Sequence, residues 1–209
     1  MSPFRYTHAI VCRIPDSYKT AALGLSEPVD LAKARKQHEM YVAALREIGL
    51  DVIELPADEK HPDCLFVEDV AVVCNGTALL TRPGHPNRKN EVEKSLHLKT
   101  VLTMAGPDVI CVGNTPDAQS ILKRIEREAT FRYQTVTVPD MHAANVVFAN
   151  GVLLHRSAEE YPESAKIFEE KLSLWNLKPV TFSELEKANG SLTCCSILIR
   201  KTRHLKNIM

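Results

Sequence analysis

The chain has 209 residues, 26 basic and 26 acidic side chains, and a formal net charge of zero, with 44% hydrophobic and 25% charged residues. That mix belongs to a globular chain and excludes dominant disorder, and the balanced charge excludes the basic surplus of a nucleic-acid binder or a polybasic membrane surface. No apolar run approaches the roughly 20 residues of a membrane helix, and the apolar stretch near the N-terminus is too short for a signal peptide.

In chain order, HAIVC at 8–12 reads as a buried strand, followed by a loop rich in Pro, Ser and Gly from Pro15 to Pro28. Asp30 opens a helix on which Leu31, Arg35, His38, Tyr41, Val42, Leu45 and Ile48 recur at helical spacing, and Gly49 ends it. LDVIELP at 50–56 reads as a strand. DVAVVCNGTALLT at 69–81 reads as a hairpin turning at Asn75-Gly76. A turn at 82–88 and a short charged segment, Lys89 to Lys94, follow. DVICVG at 108–113 is a predicted strand, Asp117 to Thr130 a helix and TVTVP at 135–139 a strand. NVVFANGVLLH at 145–155 is a second hairpin turning at Asn150-Gly151. Pro162 to Leu177 reads as a helix, PVTF at 179–182 as a strand and SLTCCSILI at 191–199 as the closing strand.

Units beginning near residues 70, 109 and 146 imply a period of roughly 40 residues, which suits a ring of repeats packed around a shared centre. An ordinary α/β sandwich fits the same pattern. One unit departs from the period: after 69–81 the helical segment is short and runs directly into SLHLKTVL, as if cut near 94–96.

Several side chains are candidates for chemistry, each with a plainer alternative. On a strand, Cys194 and Cys195 would point to opposite faces, one into the core and one toward an accessible surface; equally, both could be small buried hydrophobes. LHLKT reads as a strand with Leu96 and Leu98 on one side; His97, on its polar face with Lys99, could be a general acid or base, or an exposed surface histidine. Asp63, Glu68 and Asp69 could clamp a cation or form a solvated acidic loop; Phe66-Val67 between them argues that part of the loop is buried. Arg88 could meet a carboxylate, or stand as an exposed turn charge. The six cysteines, Cys12, Cys64, Cys74, Cys111, Cys194 and Cys195, lack zinc-site spacing and read as free thiols of a reducing compartment.

The stretches HPDCLFVEDVAVVCNGTALLTRPGHPNR, LPADEKHPDC, LHLKT, MAGPDVICVG, LLHRSAEEYPESAK and SLTCCSILI resemble the dimethylarginine dimethylaminohydrolases, most closely their vertebrate type-1 members. The resemblance spans almost the whole chain. It implies the pentein fold, a five-unit α/β propeller with the active site on its axis, as a single domain over 1–209. Between the positions matching Lys94 and Leu96 roughly 65 family residues are absent, so about one of the five units is missing.

The resemblance implies a hydrolase that converts Nω-methylated arginines, asymmetric dimethylarginine and monomethylarginine, to citrulline and dimethylamine or methylamine. Such activity indirectly supports nitric oxide synthesis. Cys194 matches the nucleophile, which forms a covalent intermediate, and His97 the residue that protonates the leaving amine and then activates water. Asp63, Glu68 and Asp69 match positions around the guanidinium, and Arg88 an arginine serving the substrate carboxylate directly or through a neighbour. Leu23 matches a flexible lid. Ala188 matches a main-chain contact, where the family's usual residue is Val. No metal or organic cofactor is implied, although zinc can inhibit by binding the Cys194 thiolate. In an assembled site the Cys194 thiol pKa should be depressed beside a substrate cation or His97. The absent stretch carries the acid that orients the histidine and an arginine that grips the substrate carboxylate. A catalytically impaired, truncated isoform acting as a binding or regulatory relative is the alternative. The expected partner is a small-molecule substrate, with no nucleic acid and no membrane, for a cytoplasmic monomer or weak dimer. The C-terminal RKTRHLKNIM reads as an extra basic tail.

Overall fold

A computed structural model describes residues 5–74, 77–80, 99 and 102–200. The elements run β1 (His8–Cys12), a single turn α1 (Tyr18–Ala21), α2 (Leu31–Glu47), β2 (Asp51–Leu55), β3 (Ala71–Cys74), β4 (Thr77–Leu80), β5 (Leu102–Met104) and β6 (Val109–Gly113). They continue with α3 (Pro116–Glu128), β7 (Gln134–Val138), β8 (Val147–Ala149), β9 (Val152–Arg156), α4 (Pro162–Lys171), β10 (Asn176–Val180), α5 (Ser183–Glu186) and β11 (Ile197–Ile199).

Local chemistry accounts for most boundaries. The Asp30 carboxylate accepts from Lys33 N at 3.0 Å and so caps α2, whose buried face is Ala34, His38, Tyr41, Val42 and Leu45. Thr115 caps α3 by accepting from Ala118 N at 3.2 Å, with Pro116 in the first turn. Between β8 and β9, Asn150 (φ 53) and Gly151 (φ 86) both occupy the left-handed region, which a tight two-residue hairpin turn requires. The register of β3 with β4, from Ala71↔Leu80 to Cys74↔Thr77, likewise leaves a two-residue connection, and Asn75-Gly76 lies outside the described residues.

These elements form the expected α/β propeller of repeated units. One unit pairs β5 antiparallel with β6, crosses over through α3 and returns as β7 parallel to β6. The next does the same with β8, β9, α4 and β10. A third is assembled from both ends of the chain: β11 pairs antiparallel with β1, which crosses through α2 to the parallel β2. The fourth sheet, β3-β4, has two strands among the described residues. The first strands of the units meet one another, β11 packing against β3 and β5 against β8, so they surround the centre of the arrangement.

The core is layered between each sheet and its helix. Val11, Tyr41, Leu45, Phe182, Leu185 and Cys195 belong to the largest apolar cluster, while Val109, Val138, Leu153 and Phe168 form a second. Arg156, buried at the end of β9, bonds to Glu160 at 2.8 Å and Glu186 at 2.5 Å, joining the start of α4 to α5. Among the described residues no helix is long and apolar enough to cross a membrane.

Four expectations need correction. The units start at Ala71, Leu102 and Val147, at unequal intervals, because the strand at 108–113 is the second of its unit and the first, β5, is only three residues long. Helix α4 ends at Lys171, since Asn176–Val180 is already paired with β9, and the strand expected over 179–182 starts and ends earlier. Residues 191–199 are not one strand: Thr193–Cys195 form a 3-10 turn, and only Ile197–Ile199 extend β1's sheet. Lys99 has helical backbone where LHLKT was expected to be extended.

Candidate active site

Cys194 lies in that 3-10 turn, between Leu192 and β11. Its backbone N–H donates to Ser191 O at 3.1 Å. Because the chain turns here, both sulfurs are buried, Cys194 at 7% and Cys195 at 0% exposure, and the expected division between a core face and an accessible face does not occur. Burial pushes the Cys194 thiol up to about 12, helped by the negative charges of Glu68 and Asp69 and opposed by Lys99. The depressed thiol pKa expected for an assembled site is thus not a property of the chain alone.

The acids come from a second 3-10 turn, Val67–Val70, which packs directly against Thr193–Cys195. Phe66 and Val67 are buried, which anchors the turn and leaves Glu68 and Asp69 half-buried beside the nucleophile candidate. Glu68 forms an ion pair with Lys99. Asp63 is buried in the turn at 62–65, and both of its carboxylate oxygens accept from Leu23 N at 3.2 Å.

Leu23 is held on a segment that runs against residues 187–189. Ser26 N donates to Lys187 O at 2.8 Å. Gly24 has φ +71, a conformation that favours glycine, and a Cβ there would lie 2.6 Å from the Asn189 side-chain Nδ2. Ala188 is buried, donates its N–H to Leu185 O at 3.3 Å, and shares one apolar cluster with Ala22, Leu65 and Cys194. The structure therefore links Leu23 to Asp63, places Ala188 in the apolar cluster that also holds Cys194, and brings the charges of Glu68, Asp69 and Lys99 to bear on Cys194. His97 and Arg88 lie outside the described residues.

Sequence reasoning missed Asn145. Its side chain is buried at 1% exposure. Nδ2 donates to Lys99 O at 2.7 Å and to the Thr193 hydroxyl at 3.0 Å, while Oδ1 accepts from Thr193 N at 3.0 Å. One amide thus ties the residue preceding Cys194 to a residue two positions beyond His97. The available signal was an asparagine within the apolar stretch AANVVF, where a buried amide needs partners.

A cavity of about 480 Å³ opens at the centre of the units, bordered by Glu68, Lys99 and Thr193 and walled by Leu102, Phe148 and Ile197 of the inner strands. Cys194, Asp63 and Leu23 are not among its lining residues. Among the described residues no group of three or more His, Cys, Asp or Glu could hold a metal ion, and Cys12, Cys64, Cys111, Cys194 and Cys195 are free thiols.

This geometry can be set beside known proteins. A family model described as N,N dimethylarginine dimethylhydrolase, eukaryotic, matches residues 13–157. The Homo sapiens protein DDAH2, provisionally described as a hydrolase, is 27% identical over an alignment of 277 positions covering 96% of each chain. That alignment is longer than the 209-residue chain, so the relative carries residues with no counterpart here. The N(G),N(G)-dimethylarginine dimethylaminohydrolase of Streptomyces coelicolor is 26% identical, covering 84% of this chain and 89% of that one. Among solved structures, a mutant DDAH from Pseudomonas aeruginosa complexed with citrulline has a TM-score of 0.76 at 21% identity, covering 94% of this chain and 100% of that one. The fold is shared.

Proposed function

The chain belongs to the eukaryotic N,N dimethylarginine dimethylhydrolase family, and on that premise we propose that it hydrolyses asymmetric dimethylarginine and monomethylarginine to citrulline and dimethylamine or methylamine. The observation that carries this reading is the placement of Cys194 beside Glu68 and Asp69, whose charges oppose thiolate formation in the chain alone. A guanidinium entering between them reverses that balance. It neutralises the acids and stabilises the thiolate with its own charge.

The steps follow from this electrostatic arrangement. The Cys194 thiolate adds to the guanidinium carbon, and Asp63, Glu68 and Asp69 hold the cationic nitrogens. The bond from that carbon to the methylated nitrogen breaks as His97 protonates the leaving amine. Water, deprotonated by His97, then adds to the thiouronium carbon; the carbon–sulfur bond breaks, citrulline leaves and the thiolate returns. Arg88 serves the substrate carboxylate, Leu23 covers the site, and the main chain around Ala188 meets the amino acid end. Asn145 acts as a positioning residue, holding the chain near His97 against Thr193. In the cytoplasm this reaction removes methylated arginines and so indirectly supports nitric oxide synthesis.

The test is citrulline formation from asymmetric dimethylarginine by the purified chain, with Cys194→Ser as control. Turnover that needs Cys194, and a substrate-derived mass trapped on it, supports the proposal. A folded chain that binds the substrate and releases no citrulline is instead a binding relative.

A further inference from the structure

We propose that Cys12 and Cys64 form a second, redox-active thiol pair, separate from the Cys194 site, in which a peroxide oxidises Cys64 and Cys12 closes a disulfide. Cys12 ends β1 and is buried, whereas Cys64 sits half-buried in the turn that follows β2. That turn is held by Cys64 N donating to His61 O at 2.9 Å and Phe66 N donating to Asp63 O at 3.0 Å. Cys64 packs on the small apolar cluster of Cys12, Val67 and Ile197. Both sulfurs converge on one carbonyl: Arg13 O lies 3.6 Å from Cys12 Sγ and 3.9 Å from Cys64 Sγ.

The two thiols are unequal. The Cys12 thiol, which also reaches Pro56 O at 3.3 Å, lies within hydrogen-bonding reach of the Cys64 sulfur, and Asp58 N–H donates to that sulfur at 3.5 Å. These donors bring Cys64 down to about 7, against the opposing Asp58 carboxylate and partial burial. The same hydrogen bond, burial, and the negative charge of Asp58 push Cys12 well above a thiol's ordinary value. An accessible sulfur that ionises easily, paired with a buried one that keeps its proton, divides the labour of oxidation and resolution. Neither sulfur has a part in the hydrolysis.

The chemistry balances with a peroxide as oxidant. The Cys64 thiolate takes one peroxide oxygen as the O–O bond breaks, giving a sulfenic acid and a hydroxide or alkoxide. The Cys12 sulfur then gives up its proton and bonds to the Cys64 sulfur, the S–O bond breaks, and water leaves. Two thiols lose two electrons and the peroxide gains them.

The experiment is limiting hydrogen peroxide on the reduced chain, followed by alkylation, non-reducing digestion and mass spectrometry. The expected product is a cross-link between the Cys12 and Cys64 peptides, forming with a rate that inflects near pH 7. The Cys12→Ser variant should stop at a dimedone-trappable sulfenic acid on Cys64. The wild-type cross-link needs no variant to fold. A first oxidation product on another cysteine, or sulfenic acid on wild-type Cys64 while Cys12 still alkylates, overturns the proposal.

Discussion

Asn145 and Thr193 are joined twice, the amide Nδ2 donating to the Thr193 hydroxyl and Oδ1 accepting from Thr193 N, both at 3.0 Å. A third bond, from Nδ2 to Lys99 O at 2.7 Å, extends the link to the segment that carries His97. The turn that carries Cys194 and the chain at Lys99, two residues beyond His97, are therefore joined by one buried side chain.

Asn145→Leu removes all three bonds and leaves Thr193 N and Lys99 O without this partner. The expected cost is about 3 kcal/mol of stability by denaturant unfolding. Where the variant stays folded, kcat should fall about tenfold or more with a smaller change in KM, because the reacting groups are displaced while the guanidinium-binding acids remain. An unchanged kcat removes Asn145 from the account.

Glu68→Gln should act in opposite directions on two measurements. The Glu68 charge raises the Cys194 thiol pKa and Lys99 lowers it. Removing the carboxylate charge lowers that pKa, so more thiolate is present at any pH below about 12. Iodoacetamide should therefore label Cys194 faster in the variant at fixed pH. The loss of an acid facing the guanidinium should raise KM. Slower labelling would mean that Glu68 does not face the sulfur.

Asp63→Ala leaves Leu23 N without the two carboxylate oxygens that now accept from it. Residues 22–26 should then exchange their amide hydrogens faster, and KM should rise about tenfold if, as proposed, Leu23 covers the site and Asp63 holds the guanidinium. Unchanged exchange across 22–26 would show that Ser26 and Gly24 hold the segment without Asp63.

His38 supplies a stability prediction with a definite sign. It is buried on α2, its Nε2 has no partner among the described residues, and burial lowers its pKa to about 4 from 6.5. The folded chain prefers the neutral ring. This preference costs nothing above about pH 6.5; stability is then lost as the pH falls, by about 3 kcal/mol on reaching pH 4. His38→Leu should flatten that acid branch in denaturant titrations. An equal acid loss in the variant would place the proton uptake elsewhere.

What could be read from the sequence is what local chemistry decides. The Asp30 cap and apolar spacing fix α2, and Asn150-Gly151 fixes its hairpin, within short stretches of chain. The acids beside Cys194 were visible because Phe66 and Val67 mark their loop as buried. Strand β5 was hidden, because three residues leading into Ala105-Gly106-Pro107 carry too little alternation to register. The strand reading of 191–199 failed for a related reason: the apolar pattern continues through Cys194 and Cys195, while the Ser191 carbonyl accepts from Cys194 N and turns the backbone. The apolar stretch around Asn145 signalled a buried amide, but its partners could not be read locally, since they lie 46 and 48 positions away.

The most direct measurement is citrulline released from asymmetric dimethylarginine by the purified 209-residue chain, beside Cys194→Ser. Turnover abolished by that substitution is the predicted result, and it would mean that Cys194, the neighbouring acids and His97 form a working site in this shorter chain. Substrate binding without citrulline, from a chain that unfolds cooperatively, would contradict the account.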